Sequence, residues 1–176
     1  MRIRTISNIF LLTISCLLAV GLSGCGYTTG SLLPSDIKTI SVPMFKNVIS
    51  SSSLAYQYHP GIEGDITRQT VDRFIFDGRL KVVDTEQADL VLTGEVTDYI
   101  KDPLRYGPDE KDVIEYRLTL VMRLICRDTA KDVVLWEEKR LTGDTTYFVA
   151  SGEELALRAA IRDLAKNIVA RMIEGW

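Results

Sequence analysis

The residue best placed for covalent chemistry in this sequence is Cys25, which directly follows Leu22-Ser23-Gly24. Small residues ahead of a cysteine are typical of a site where the chain is cut and the thiol is acylated. The preceding chain fits that use, because Arg2 and Arg4 are followed by an apolar run from Ile9 to Val20. The sequence therefore predicts a removable segment, residues 1–24, and a lipid-modified cysteine at position 25.

That segment has the layout of a secretory signal, with a basic start and an apolar centre of about 12 residues. A transmembrane helix needs about 20 apolar residues, so the run is too short to be one. Leu22 to Cys25 matches the lipobox of bacterial lipoproteins, in which the thiol is diacylated and the new amine is acylated after cleavage. Two acyl chains already give stable anchoring, so three should hold Cys25 in the membrane permanently. Gly26 stands where an aspartate would signal inner-membrane retention, which predicts the periplasmic face of the outer membrane.

The remaining chain has 176 − 24 = 152 residues, the size of one domain. The signal segment removes two arginines and no acid, which leaves 19 basic against 24 acidic residues, a net charge of −5. Nucleic-acid binders carry a basic excess, so this balance argues against a nucleic-acid partner. Beside Cys25 only Cys126 remains, together with a single histidine, His59. These residues predict no disulfide framework, no metal site and no cofactor.

The other residues with catalytic potential are isolated in the sequence. His59 lies in a predicted loop, and Cys126 falls on the apolar face of a predicted strand. Asp84, Asp89 and Glu95 flank strands, and paired carboxylates can transfer protons. In a chain with 24 acidic residues, however, such proximity is expected by chance. The sequence also lacks a glycine-rich phosphate loop, so it predicts a protein that is not an enzyme.

The first half of the predicted domain reads as strand, helix, strand. A first strand over Asp36 to Phe45 ends at Pro43, and a polar loop from Lys46 to His59 follows. Pro60-Gly61 opens a helix that Gly78 closes, and Arg79 to Asp84 is a short strand. This order predicts a parallel crossover unit. The apolar face of the helix is predicted to contain Ile62, Ile66, Thr70, Val71, Phe74 and Ile75.

Strands dominate the next stretch. Ala88 to Ile100 is predicted as a strand that turns Ile100 toward the core, and Lys101 to Lys111 as a turn-rich connection. Residues 114–127 alternate apolar and polar side chains, which predicts a long strand with one buried and one polar face. Val133 to Phe148 is predicted to return antiparallel, with a bulge near Glu137-Glu138.

A second helix follows a predicted capping box, Ser151 to Glu154. The sequence therefore predicts an α+β fold with two amphipathic helices packed on one face of a four- to five-stranded mixed sheet, in the order β-α-β-β-β-(β)-α. A tether over 25–35 would precede this single domain, 36–176. The predicted buried ridge of the second helix contains Leu157, Ile161, Leu164, Ile168 and Met172.

Two helices on one face leave the polar face of the sheet uncovered. Arg117, Arg123 and Arg127 lie on that face. It is either a solvated surface or a surface that meets anions or a polar protein wall. Arginine pairs with phosphate through two hydrogen bonds, so its use here in place of lysine would matter at an anion site.

In this order the residues resemble the LptE-type lipopolysaccharide-assembly lipoproteins. The resemblance covers nearly the whole predicted mature chain, and its segments fall in the same order along it. The segments are Cys25-Gly26-Tyr27, Ile37 to Pro43, Pro60 to Glu63, Phe74 to Asp84, Ala88 to Glu95, Glu115 to Leu118, Leu135 to Glu137 and Leu164 to Trp176.

The resemblance implies two helices packed on a four-stranded sheet and a role as a plug inside the LptD-type outer-membrane β-barrel, in a 1:1 heterodimer. It also implies help in folding that barrel and direct binding of lipopolysaccharide. In the family, basic residues near two loops are linked to lipopolysaccharide. The first loop here offers Lys101, Arg105 and Lys111, whereas the second, Thr142 to Glu154, contains no lysine or arginine.

An alternative from another class is a lipoprotein that docks on a peptidoglycan-synthesising enzyme and activates it. Such activators need a long tether to cross the periplasm. Here about ten residues separate Cys25 from the first predicted strand, a reach of at most ~35 Å. The short tether favours a partner at the membrane itself.

Overall fold

Six strands and two helices make up the described part of the chain. The computed structural model describes residues 34, 36–49 and 59–174. The predicted signal segment, Cys25, nearly all of the tether, the loop residues 50–58 and Trp176 lie outside these residues. In chain order the elements are β1 (Thr39–Ser41), β2 (Lys46–Asn47), α1 (Ile62–Asp77), β3 (Lys81–Val82), β4 (Leu90–Tyr106), β5 (Val113–Asp128), β6 (Val133–Phe148) and α2 (Glu153–Glu174).

The strands form one mixed sheet in the order β3-β1-β4-β5-β6, with β2 also paired to β4. β1 lies parallel to β3 and β4, as the strand–helix–strand order predicts, and β4, β5 and β6 form an antiparallel meander. The α+β prediction is confirmed, with one strand more than expected. The extra strand arises because the predicted first strand is interrupted around Pro43, whose nitrogen has no hydrogen to give to a ladder. β1 and β2 therefore follow β4 as two short pieces.

β4 is longer than predicted, and this corrects the turn-rich connection expected over Lys101 to Lys111. The strand runs through Pro103 to Tyr106, and its register with β5 shifts between Pro103 and Arg105. A bulge is one of the few places where a sheet tolerates proline. Only residues 107–112 are left to form the hairpin, so Lys101 and Arg105 are strand residues.

A second register shift, between Val96 and Asp98, changes which side chains of β4 reach the core. Leu90, Leu92 and Val96 are buried as predicted, but Tyr99 is buried beyond the shift and Ile100 is not. The extra residue of a bulge reverses the alternation downstream, which is why the expectation for Ile100 was wrong. The bulge predicted in β6 is confirmed. Met122 of β5 pairs with Leu141 and Leu124 pairs with Glu138, so three residues of β6 span the distance of two in β5.

Both helices contribute to one apolar core on one face of the sheet. The predicted ridge of α2 is fully buried, and so are Ile62, Ile66, Thr70 and Phe74 of α1. Ile75 was expected in that face but is exposed, as is Phe76. Gly78 ends α1 in a left-handed conformation with φ of 75°, as its position predicted.

The opposite face of the sheet, here called the bare face, contains the alternate residues of β5 from Glu115 to Arg127. Apart from Val121, these side chains are exposed or half-buried. Among the described residues no helix is long and apolar enough to cross a membrane.

Candidate functional site

The sequence-predicted basic residues do not form a single cluster. Arg105, Arg117 and Arg123 share the bare face, since Arg105 pairs with Glu115 in the β4–β5 register. Lys101 lies opposite Leu118 and therefore on the core side of the same strand. Lys111 is exposed in the hairpin between β4 and β5. The bulges of β4 thus separate Lys101 from the other candidates.

Lys101 is part of a polar cluster that fastens the start of α2 to the sheet. Its Nζ lies 2.5 Å from Oε2 of Glu153, the first residue of α2. Tyr147 donates a 3.1 Å hydrogen bond to the same oxygen, and Tyr99 donates to Oε1. The Lys101 ammonium also lies 4.5 Å from the centre of the Tyr116 ring, within cation–π range. Lys101 therefore already has a carboxylate and an aromatic ring as partners.

The charges in this cluster stabilise one another. Burial works against ionisation of Glu153, but hydrogen bonds from Lys101 and Tyr99 outweigh it and hold the Glu153 pKa below its ordinary value. Burial likewise opposes the charge on Lys101, and its bonds to Glu153 and Tyr147 nevertheless raise the Lys101 pKa. The pKa of Tyr99 is raised by burial and by Glu153, so its hydroxyl remains a hydrogen-bond donor.

Glu153→Gln should lower the free energy of unfolding by about 1–3 kcal/mol at neutral pH, because it removes the ion pair with a half-buried lysine. A carboxyl with a depressed folded pKa stabilises the fold above its unfolded pKa, near 4.5, and this stabilisation is lost as pH falls through the folded value. The difference between wild type and variant should therefore shrink below about pH 4.5. Urea midpoints at several pH values measure it, and a constant difference down to low pH would contradict this role for Glu153.

The capping-box prediction for this region is wrong. Ser151 lies in a short 3-10 turn, and α2 begins at Glu153 after Gly152. The S-x-x-E spacing predicted a capping role for Ser151 and Glu154, whereas the neighbouring Glu153 makes the tertiary contacts. The sequence signal for Glu153 is weak. It consists of an acidic residue at the start of a helix and of Lys101, a lysine on the apolar face of β4, with two strands between them in the chain.

On the bare face most arginines have carboxylate partners. Nη2 of Arg123 lies 2.6 Å from Oε2 of Glu95, and Nη2 of Arg105 lies 3.3 Å from Oε2 of Glu115. Arg127 pairs with Asp132 at 3.0 Å, and Arg117 lies between Asp102 and Thr146 in the sheet register. Exposed ion pairs of this kind contribute at most about 1 kcal/mol each. A phosphate could therefore replace the carboxylate at little cost.

The end of the sheet at the β4–β5 hairpin is here called the distal end, and it combines basic and apolar groups. The Arg105 guanidinium lies 5.8 Å from the centre of the Phe148 ring, and Lys111 lies exposed in the hairpin that follows β4. Around them several large apolar side chains are exposed. They are Leu104, Tyr106, Ile114, Phe148 and Val149. Such a mixture suits a ligand that has both anionic and apolar parts.

Three of the residues considered for catalysis, Asp89, Cys126 and His59, make contacts within the fold. Asp89 accepts hydrogen bonds from the backbone nitrogens of Lys38 and Thr39, at 2.9 and 2.8 Å, and these bonds hold its pKa below the ordinary value. Cys126 is buried on the core face as predicted, and burial raises the pKa of its thiol to about 12. His59 stacks on Tyr99. Within the described ranges no three His, Cys, Asp or Glu side chains are grouped to hold a metal.

A small α+β domain with two helices on one side and a charged sheet face on the other thus carries an amphipathic patch at one end. Residues 37–172 match the LptE lipopolysaccharide-assembly family model. The chain therefore belongs to the LptE lipopolysaccharide-assembly family. Proteins of that family are lipoproteins of the bacterial envelope and serve assembly rather than catalysis.

Two solved structures with a TM-score of 0.50 or more support the fold. The hypothetical protein CT253 from Chlamydia trachomatis is similar with 11% identity and a TM-score of 0.53, over 77% of this chain and 95% of that one. A minor lipoprotein from Acinetobacter baumannii gives 17% identity, a TM-score of 0.50 and coverage of 81% and 95%. Rare lipoprotein B from Shewanella oneidensis has 17% sequence identity and a TM-score of 0.49, and the match covers 77% of this chain and 95% of that one. No curated protein sequence is similar enough to count as a match.

Proposed function

We propose that this protein is an outer-membrane lipoprotein that plugs an LptD-type β-barrel, supports its folding and binds lipopolysaccharide during its assembly into the outer membrane. The observation that carries the proposal is membership of the lipopolysaccharide-assembly family over residues 37–172. The partner is expected in a 1:1 heterodimer, and the protein is anchored to the membrane by acyl chains on Cys25.

The bare face of the sheet fits a plug. The lumen of an outer-membrane barrel is polar, so a domain enclosed there needs polar groups on its outer surface. The bare face supplies alternating charges, such as Arg123 beside Glu95, in place of an apolar interface. Because these exposed pairs are weak, they can be exchanged for partners on a surrounding polar wall without large cost.

The distal end fits lipopolysaccharide, whose lipid part bears both phosphates and acyl chains. Arg105 and Lys111 supply positive charge, and Phe148 and its exposed neighbours supply apolar surface. Of the residues predicted from the sequence, Lys101 is the least available, since Glu153 already binds it. Arg117 and Arg123 lie along the bare face and would bind only a ligand that extends beyond the distal end.

Affinity capture of the membrane-extracted protein tests the proposal. We expect an outer-membrane barrel to co-purify in equal molar amount, and lipopolysaccharide to be bound by the purified lipoprotein. Capture of a peptidoglycan-synthesising enzyme in place of a barrel would contradict the proposal and support the alternative class.

Cys25→Ala should leave an uncleaved precursor held in the inner membrane by its signal segment, because the lipoprotein peptidase requires the acylated cysteine. Membrane fractionation and the mass of the product measure this outcome. Cys126→Ala is the matched control and should be processed normally, since that thiol is buried in the folded domain. Normal outer-membrane fractionation of the Cys25 variant would contradict acylation at this position.

A further inference from the structure

The start of β1 and the start of β3, which follows the end of α1, lie at the same end of the sheet. The backbone nitrogen of Lys81 donates a 2.9 Å hydrogen bond to the carbonyl of Lys38, and Lys38 in turn donates to Asp89 at 2.9 Å. Thr129, in the hairpin between β5 and β6, donates to the Asp89 carbonyl at 2.9 Å. We call this the anchor end, because β1, the first strand of the described domain, begins there.

Two exposed apolar side chains lie near the anchor end. Phe76 is 80% exposed and Ile75 is 64% exposed, although Ile62, Ile66 and Phe74 of the same helix are buried and Val71 is half-buried. Phe76 is the most exposed large apolar side chain of the described residues. It stands five positions before Lys81, so it lies within about 17 Å of the anchor end. Single exposed apolar residues are common and need no partner. For a neighbouring pair near the start of a domain with a proposed acyl anchor, the membrane is the candidate partner.

The surroundings of Phe76 suit the headgroup layer of a membrane. The Arg73 guanidinium lies 5.2 Å from the centre of its ring, so an aromatic and a cationic group present themselves together. Amphipathic helices that rest on membranes combine phenylalanine with arginine or lysine in this way. Asp77 lies 3.5 Å from Arg79, which leaves little net positive charge nearby. The contact must therefore depend on apolar insertion more than on charge.

We infer that the C-terminal turn of α1 rests on the phospholipid surface, with Ile75 and Phe76 inserted among the headgroups. The inference depends on the proposed acylation of Cys25. From that anchor the chain can reach at most ~35 Å before the first strand, so the anchor end stays close to the bilayer. The distal end lies about 55 Å away along the 17 residues of β4, which is far enough to stand apart from this contact.

The net charge of −5 adds a second expectation. Anionic phospholipids repel a protein of this charge, so an electrostatic contact would be weak and salt would alter it. Insertion of apolar side chains does not depend on screening. The contact at Phe76 should therefore persist at high salt, unlike phosphate binding by Arg105 and Lys111.

The test uses full-length acylated protein in vesicles of phosphatidylethanolamine and phosphatidylglycerol at a high lipid excess. Phe76→Cys is labelled with an environment-sensitive fluorophore, and Leu104→Cys at the distal end is the matched control. Wild type gives the labelling background, because Cys126 is buried. We expect brominated phospholipids to quench the label at position 76 and not at position 104, equally at low and high salt.

Three results would overturn the inference. An unquenched label at position 76 on protein that floats with the vesicles would remove the contact while leaving the anchor intact. Protein that does not float would remove the anchor and the contact together. A change in emission that follows the protein-to-lipid ratio and occurs without bromine would assign Phe76 to a second copy of the chain.

Discussion

Gly143→Ala should destabilise the domain by about 3 kcal/mol or more, because β6 has no room for a side chain at this position. A Cβ atom there would lie 2.4 Å from the backbone nitrogen of Leu164 and 2.5 Å from its Cα. Backbone atoms of a helix cannot rotate away, so α2 would have to shift as a unit. A loss of this size is a large fraction of a total stability of about 5–15 kcal/mol.

A hydrogen bond between α2 and β6 lies next to this close approach. Nδ2 of Asn167 donates a 2.9 Å hydrogen bond to the carbonyl of Thr142. A shift of α2 away from position 143 would therefore also strain this bond. The cost of the extra methyl is spread over the helix–strand interface.

Gly64→Ala is the matched control, because it adds the same methyl group where there is space. Its nearest neighbour would be Sδ of Met44 at 3.9 Å. Alanine is also the better helix former, so a gain of up to about 1 kcal/mol is expected. Urea denaturation midpoints should move in opposite directions for the two variants. Equal midpoints would contradict the close seating of α2 on β6.

Charge reversal at Arg105 and Lys111 together should weaken lipopolysaccharide binding about 100-fold or more. A hydrogen bond to a charged group contributes about 1.5–3 kcal/mol, and 1.4 kcal/mol is tenfold in affinity. Arg105→Glu also places a second carboxylate beside Glu115, which faces position 105 across the strands. The double variant should still co-purify with its barrel, because the bare face toward the other end is unchanged.

The control for that experiment changes charge equally elsewhere. Arg158 and Lys166 are exposed on α2, so Arg158→Glu with Lys166→Glu alters the net charge by the same amount. Binding by this control should stay close to that of the wild type, and raising the salt should weaken the wild type. If the Arg105 and Lys111 variant binds lipopolysaccharide normally at low salt, Arg117, Arg123 and Arg127 remain as the candidates.

The regular parts of the fold were predictable because periodicity reports burial directly. The ridge of α2 and the core face of β5 from Leu118 to Cys126 follow from spacing alone. Irregular positions were not predictable in the same way. The faltering alternation near Glu137 and Glu138 indicated the bulge of β6, but no such signal was recognised in β4. Neither Tyr99 in the core nor the passage of β4 through Pro103 was therefore inferred.

The candidate site was harder to predict, because it depends on contacts between distant parts of the chain. Lys101 was predicted as a lipopolysaccharide-binding residue of a loop, whereas it lies in β4 and pairs with Glu153, which is far away in sequence. Gly143 carried a recognisable signal, since a glycine inside a strand often marks a close approach of another backbone. The apolar surroundings of Arg105 became apparent only when β4, β5 and the end of β6 were brought together.

The unequal lengths of the strands also set an order of local stability. β4, β5 and β6 contain 17, 16 and 16 residues and are joined by short hairpins, so the meander can pair early from contacts that are near in sequence. β1 and β3 contain three and two residues and depend on a meander that already exists. In hydrogen exchange, the amides of β1 and β3 should open first and those of β5 last. The part of the domain next to the proposed acyl anchor is thus the part that can unfold and reclose while the meander keeps its shape.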